Sequence, residues 1–455
     1  MKSLNNFKVR YGCLSSHSCF FILFVVILFF NSCKTQPESY SVLEFTGTDE
    51  ITNLSKSYFL MLNGSDSINP AVIMGSKGDL FWCDEYLFVY NDPSAQKRYL
   101  FKQTDSILYV NDTIYSIDIP VKNDKIPWFK NLTEYDFSTL QFINVQSKFP
   151  DSYLPYLTGL AEIKPDAGIY LPGNFSDIAE LLKIFNPRVI AGTTLVRSDY
   201  DQLSRLTNIE ILMITLNDSV ISDPLPSMPV LKQLFLTELD DEVVLPDNFL
   251  INNKQIERLI IQTSGSLDIS MLNQLDNLKE LVINVSDEIK NLNLINSHTK
   301  LEVLSVTGDE LIYDPGVIRL PLLRWMVFSS NVTQEEFDSF IDTHPDLEVI
   351  EMIKNDTISS FQALSKLSKL YGLTVNDTVA DIATIKTLSS LKYLSLPHDF
   401  LADPVNKAEI EGSLPGTRIV ANEGFCLGSG WLLLLVPLVL IFRFFGRRLQ
   451  NGLKS

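Results

Sequence analysis

Ile256-Glu-Arg-Leu-Ile-Ile261, Leu278-Lys-Glu-Leu-Val-Ile283 and Leu301-Glu-Val-Leu-Ser-Val306 are three consecutive copies of one pattern, apolar at the first, fourth and sixth places. Working outward, the same spacing starts upstream at Ile209 and Leu231, and downstream at Leu323, Leu347, Leu370 and Leu391. The nine starts are 22, 25, 22, 23, 22, 24, 23 and 21 residues apart. The ninth place is polar in eight units (Asn217, Ser264, Ser286, Asp309, Asn331, Asn355, Thr378 and Asp399), and Leu239 is the departure. A polar side chain there can bond the backbone as the chain leaves a strand. Weaker units extend the series upstream. Gly168-Ile-Tyr-Leu and Arg188-Val-Ile-Ala read as strands about one period apart, separated by the helical spacing Ile178, Leu181, Leu182 and Ile184.

A unit of this size is one short strand plus one return segment, and alone it cannot bury its apolar positions. Stacked, the first, fourth and sixth places form a continuous internal ladder. Pairs such as Leu203–Leu206, Leu272–Leu275, Leu364–Leu367 and Ile385–Leu388 have three-residue spacing, which suits a helical or 3₁₀ return on the opposite wall. The region resembles a leucine-rich repeat array, whose period is about 20–29 residues. The resemblance implies an α/β leucine-rich repeat solenoid with a curved parallel sheet lining its concave side, used for binding and not for catalysis. Leu414-Pro-Gly-Thr-Arg-Ile-Val reads as a last, capping strand.

Ahead of the repeats, residues 34–135 are expected to form a small antiparallel β-rich domain. Tyr40-Ser-Val-Leu-Glu-Phe, Tyr58-Phe-Leu-Met-Leu, Tyr86-Leu-Phe-Val-Tyr and Tyr99-Leu-Phe-Lys are rich in aromatic and branched residues. Ile107-Leu-Tyr-Val, a turn at Asn111-Asp112 and Thr113-Ile-Tyr-Ser-Ile-Asp-Ile read as a hairpin. The solenoid is then expected over 136–421, with its clear repeats from 209.

Both ends carry targeting signals. Lys2, Lys8 and Arg10 precede the apolar run Phe20–Phe30, and Ser32-Cys33 follows it. That arrangement resembles a bacterial lipoprotein signal over residues 1–33, with Cys33 as the lipid-bearing first residue after cleavage. Phe30 and Asn31 depart from the usual cleavage pattern, so ordinary cleavage or an uncleaved anchor stays open. Residues 422–455 form a second element. Phe425–Phe442 is free of charge and is followed by Arg443, Arg447, Arg448 and Lys454. An apolar run with a basic flank reads as a membrane span with the body facing away from the cytoplasm. With Gly424-Phe-Cys-Leu-Gly-Ser-Gly430 before it, the tail also resembles the sorting tags of some bacterial envelope proteins, in which the tail is cut. The body is therefore expected in the cell envelope, facing the periplasm or the exterior.

Composition excludes several function classes. A net charge of -18 opposes binding to nucleic acid. The five cysteines form no C-x-x-C pair and the four histidines show no ligand spacing, so neither a metal nor another cofactor is expected. No G-x-S-x-G, H-E-x-x-H, P-loop or G-x-G-x-x-G occurs, and no catalytic residue is assigned. Asp-Ser/Thr followed by an aliphatic residue, as at Asp356-Thr-Ile358, resembles a bacterial O-glycosylation motif, and ordinary turn chemistry explains it equally well.

Binding residues follow from strand alternation. The third and fifth places of each unit share the face opposite the ladder. Met213, Phe235, Ile260 and Val282 occupy the fifth place in four successive units, and Trp325, Val327 and Tyr393 lie further along the same face. These seven residues are expected to form an apolar strip that binds a protein or peptide ligand. A structural spacer of the envelope, or an enzyme carried on the N-terminal β domain, are the alternatives.

Overall fold

A computed structural model describes residues 41–46, 96–103, 107–110, 113–119, 136–145, 148–216, 223–239, 245–308, 311, 313–328, 332–353, 356–375 and 379–421. The leader with Cys33, the apolar tail at 425–442 and the expected strands at 58–62 and 86–90 lie outside them. Among the described residues no helix is long and apolar enough to cross a membrane.

Seventeen strands join into one sheet. In chain order they are β1 (Ser41–Thr46), β2 (Gln96–Gln103), β3 (Ile107–Val110), β4 (Thr113–Ile119), β5 (Phe142–Val145), β6 (Gly168–Asn174), β7 (Val189–Leu195), β8 (Ile211–Leu216) and β9 (Gln233–Leu239). The series continues with β10 (Arg258–Thr263), β11 (Glu280–Val285), β12 (Val303–Thr307), β13 (Trp325–Phe328), β14 (Val349–Met352), β15 (Gly372–Val375), β16 (Tyr393–Leu396) and β17 (Arg418–Ala421). β1 to β4 pair antiparallel. From β4 onward each strand pairs parallel with the next. The β3–β4 hairpin is formed, and β4 is also the first rung of the parallel stack. The stack thus begins ahead of residue 136, and the hairpin shares its sheet with the repeats.

The register explains why the apolar spacing is so strict. The fourth place of every unit lies beside the fourth place of the next, in one row running Ile117, Ile143, Ile169, Ile190, Leu212, Leu234, Leu259, Leu281, Leu304, Met326, Ile350, Leu373, Leu394 and Ile419. Every first-, fourth- and sixth-place side chain of the nine clear units is at most 2% exposed. Such a ladder buries apolar area that no unit could bury alone.

The returns build the second wall. Several are 3₁₀ turns, among them Ser270–Gln274, Leu292–Ser297, Pro315–Val317 and Gln362–Lys366. Side chains three apart fall on one side of a 3₁₀ turn, which is how Leu272 and Leu275, or Leu364 and Leu367, both reach the core. Three longer returns hold ten-residue α-helices, over Leu154–Ile163, Pro404–Ser413 and, with a capping box, Gln334–Thr343. The capping box joins Thr333 Oγ1, accepting from Glu336 N, to Glu336 Oε2, accepting from Thr333 N at 2.8 Å. The Gln334–Thr343 helix inserts Phe337, Phe340 and Ile341 into the core, where both phenylalanine rings meet Phe328 edge-on. Strands β6 and β7 carry bulges. There Gly192 has φ +78°, and a Cβ would stand 2.5 Å from the Tyr170 ring, so only glycine fits.

Candidate functional site

The face of the sheet opposite the ladder holds the residues expected to bind. Parallel pairing aligns the fifth places side by side: Met213 with Phe235, Phe235 with Ile260, Ile260 with Val282, Val282 with Ser305, Ser305 with Val327. The third places form a second row, in which Trp325 follows Val303, and Tyr393 lies between Gly372 and Arg418. The structure therefore places all seven expected residues in two adjacent rows of one surface.

Their exposure differs from the expectation. Met213, Ile260 and Val282 are half-buried, whereas Phe235, Trp325, Val327 and Tyr393 are at most 3% exposed. The apolar strip open to solvent is thus short and confined to the front units. Alternation assigns a side chain to a face but does not state how deeply that face is packed. Val303 and Val349 on the same face are likewise fully buried.

Polar groups absent from the expected set lie among these residues. Arg258 Nη1 donates to Gln233 Oε1 at 3.2 Å, and its Nε pairs with Glu280 Oε2. Gln233, Arg258 and Glu280 are third-place residues of three successive strands. Arg258 and Glu280 are buried, and the second carboxylate oxygen, Oε1, accepts no hydrogen bond. Burial pushes the Glu280 carboxyl above the usual carboxylate range, and the Arg258 guanidinium opposes that shift. Further along, Trp325 Nε1 donates to Glu351 Oε1 at 2.8 Å. The face is thus a mixed surface, a half-buried apolar strip beside a row with one unfilled acceptor. One sequence signal pointed to this row: opposite charges at the same place in adjacent units.

A second electrostatic feature borders it. The second places read Arg188, Glu210, Lys232, Glu257, Lys279, Glu302, Arg324 and Glu348, strictly alternating in sign. Backbone bonds hold them in one column, each N–H bonding the carbonyl of the preceding member. Lys279 Nζ lies 2.9 Å from Glu257 Oε2, and Arg324 lies 2.6 Å from Glu348 and 3.8 Å from Glu302. Adjacent strands are about 4.8 Å apart, so slipping one unit past another by a full repeat would set like charges together.

Among the described residues no group of three or more His, Cys, Asp or Glu could hold a metal ion. No protein-family model matches the chain, and no curated protein matches it. Among solved structures it is similar to an internalin from Listeria monocytogenes at 16% identity and TM-score 0.37, over 69% of this chain and 87% of the internalin. It is similar to a leucine-rich repeat protein of Leptospira interrogans at 18% identity and TM-score 0.38, over 62% of this chain and 73% of that one. A chain of the yeast Rad7 and Elc1 complex aligns at 16% identity and TM-score 0.41, over 90% of this chain and 99% of the yeast chain. At these identities the likeness is one of fold alone.

Proposed function

We propose that this chain is an envelope-anchored scaffold that binds a protein or peptide ligand on the face of its parallel sheet, and that it is not an enzyme. The observation that carries this reading is the front of that face. There Met213, Ile260 and Val282 remain partly open beside the Gln233–Arg258–Glu280 row. Lipid at Cys33, the apolar tail, or both would tether the body outside the cytoplasm. A photo-crosslinking residue at position 260, introduced into the full chain in its native cells, tests the proposal. A discrete crosslinked partner, absent when the probe sits at exposed Val405, is the expected result. Products confined to the chain itself would contradict it.

The burial of Phe235, Trp325, Val327 and Tyr393 supports a second reading, a structural spacer whose sheet face is filled within the molecule. Under that reading, replacing Ile260 and Val282 with Ser leaves every envelope association of the protein unchanged. Under the first, it removes the crosslinked partner while the chain stays folded.

A further inference from the structure

Three places before the first apolar residue of each unit, the return segment presents one buried side chain. Six units use Leu or Met there: Leu206, Met228, Leu275, Leu320, Leu367 and Leu388. The other three use Asn253, His298 and His344, all buried. Each of these polar residues bonds the backbone of the same column in the preceding unit. Asn253 Oδ1 accepts from Met228 N at 2.9 Å. His298 Nδ1 donates to Leu275 O at 3.1 Å. His344 Nε2 accepts from Leu320 N at 3.2 Å. The main sheet does not reach this column, and the short pairing of Leu267–Asp268 with Ile289–Lys290 ends before it, so these side chains bond one unit to the next at that depth of the wall.

The bonds fix the charge state of His344 and the orientation of His298. A backbone N–H only donates, so His344 Nε2 carries no proton and Nδ1–H donates to Phe340 O at 2.9 Å. The ring is also stacked on Phe340, 4.1 Å between centroids. His298 spends its one N–H on Leu275 O, and its buried Nε2 has no partner. The charged groups acting on them are Asp276, at His298, and Arg319, at His344.

We propose that His298 and His344 form an acid-labile seam across the middle of the solenoid: protonation breaks the His344 bond to Leu320 and leaves His298 a buried cation, weakening both junctions between repeats. A proton on His344 Nε2 would face the Leu320 N–H donor to donor. A proton on His298 Nε2 would bury a cation and a donor with no acceptor. Asn253 does the same mechanical work without a titrating group, so the front of the column is indifferent to acid.

The direction of the effect follows from the burial of the rings. Burial holds both imidazoles below the ordinary histidine value in the folded chain. In the unfolded chain they titrate near about 6.5. Stability from this seam is therefore complete above that pH and lost as pH falls below it, because the unfolded state then binds more protons. Each histidine can remove up to about tenfold from the folding equilibrium per pH unit, and the pair about a hundredfold.

The test compares the full chain with His298→Asn/His344→Asn, which copies Asn253. Amide exchange is measured at about pH 7.5 and about pH 5.5, corrected for the intrinsic rate. In the parent chain, opening of Leu292–Ser297, β12 and β13 should rise at least about tenfold in acid, and in the variant by less than about threefold. Equal acid responses in the two chains would overturn the proposal. If the variant fails to fold, histidine ring resonances of the parent decide, since the chain holds only four histidines. Two resonances still neutral at about pH 5.5 support the seam, and four ordinary titrations overturn it.

Discussion

Replacing Leu281 with Ala should cost far more than its sequence neighbour suggests. Leu281 is fully buried in the fourth-place row between Leu259 and Leu304. The substitution removes three carbon atoms, roughly 2.4 kcal/mol at about 0.8 kcal/mol for each. The ladder on both sides is backbone-bonded and cannot collapse fully into the space, so the cavity raises the total to about 2–5 kcal/mol. Val282, one residue on, points to the opposite face and is half-buried, so Val282→Ala should cost less than about 1 kcal/mol. Denaturant unfolding of both variants gives the two values. Amide exchange locates the damage, which contact between neighbouring repeats should confine to β10, β11 and β12 and spare β5. If Leu281→Ala unfolds like the parent, or Val282→Ala costs as much, the assigned register is wrong.

Three further outcomes follow from the polar framework. Lys279→Glu places three like charges at Glu257, position 279 and Glu302, and should destabilise by about 1 kcal/mol at low salt, an effect that a thermal melt at high salt largely removes. Arg258→Met strands the buried Glu280 carboxylate and should cost about 3–5 kcal/mol in denaturant unfolding, most of it recovered when Glu280→Met is added. Thr333→Ala breaks the capping box of the Gln334–Thr343 helix and should lower stability by about 1 kcal/mol in the same assay, with faster amide exchange limited to that helix.

The sequence made the ladder legible because only burial at a fixed period explains Leu278, Leu281 and Ile283 recurring as Leu301, Leu304 and Val306. The earliest rungs were harder to see. Ile117, Ile143 and Ile169 are 26 residues apart, and β5 is only the four residues Phe142–Val145, too short to show a period. β4 therefore read as the end of a separate β domain, although it is the first member of the parallel stack. The site was legible in outline only. Alternation placed Phe235 and Trp325 on the outward face correctly, but their burial depends on packing that no local pattern encodes. The alternating charges from Arg188 to Glu348 and the Asn253, His298 and His344 column can be read once units are aligned by place, but what they bond appears only when the units are stacked. Their partners lie about one repeat away, and within any single unit each is an ordinary polar residue.

The central claim is that the repeats stack in register as one continuous parallel sheet, and a single distance tests it directly. Val230 and Leu322 are exposed residues, each immediately before the first apolar place of its unit. Four strand spacings separate them, about 19 Å at about 4.8 Å each. No cysteine lies within the described residues, so the five natural cysteines can be replaced by Ser and spin labels attached at Val230→Cys and Leu322→Cys. Dipolar spectroscopy should return one narrow distribution near about 20–25 Å once label length is included. A distribution centred beyond about 40 Å, or one broad enough to show no preferred separation, would contradict the stacked solenoid.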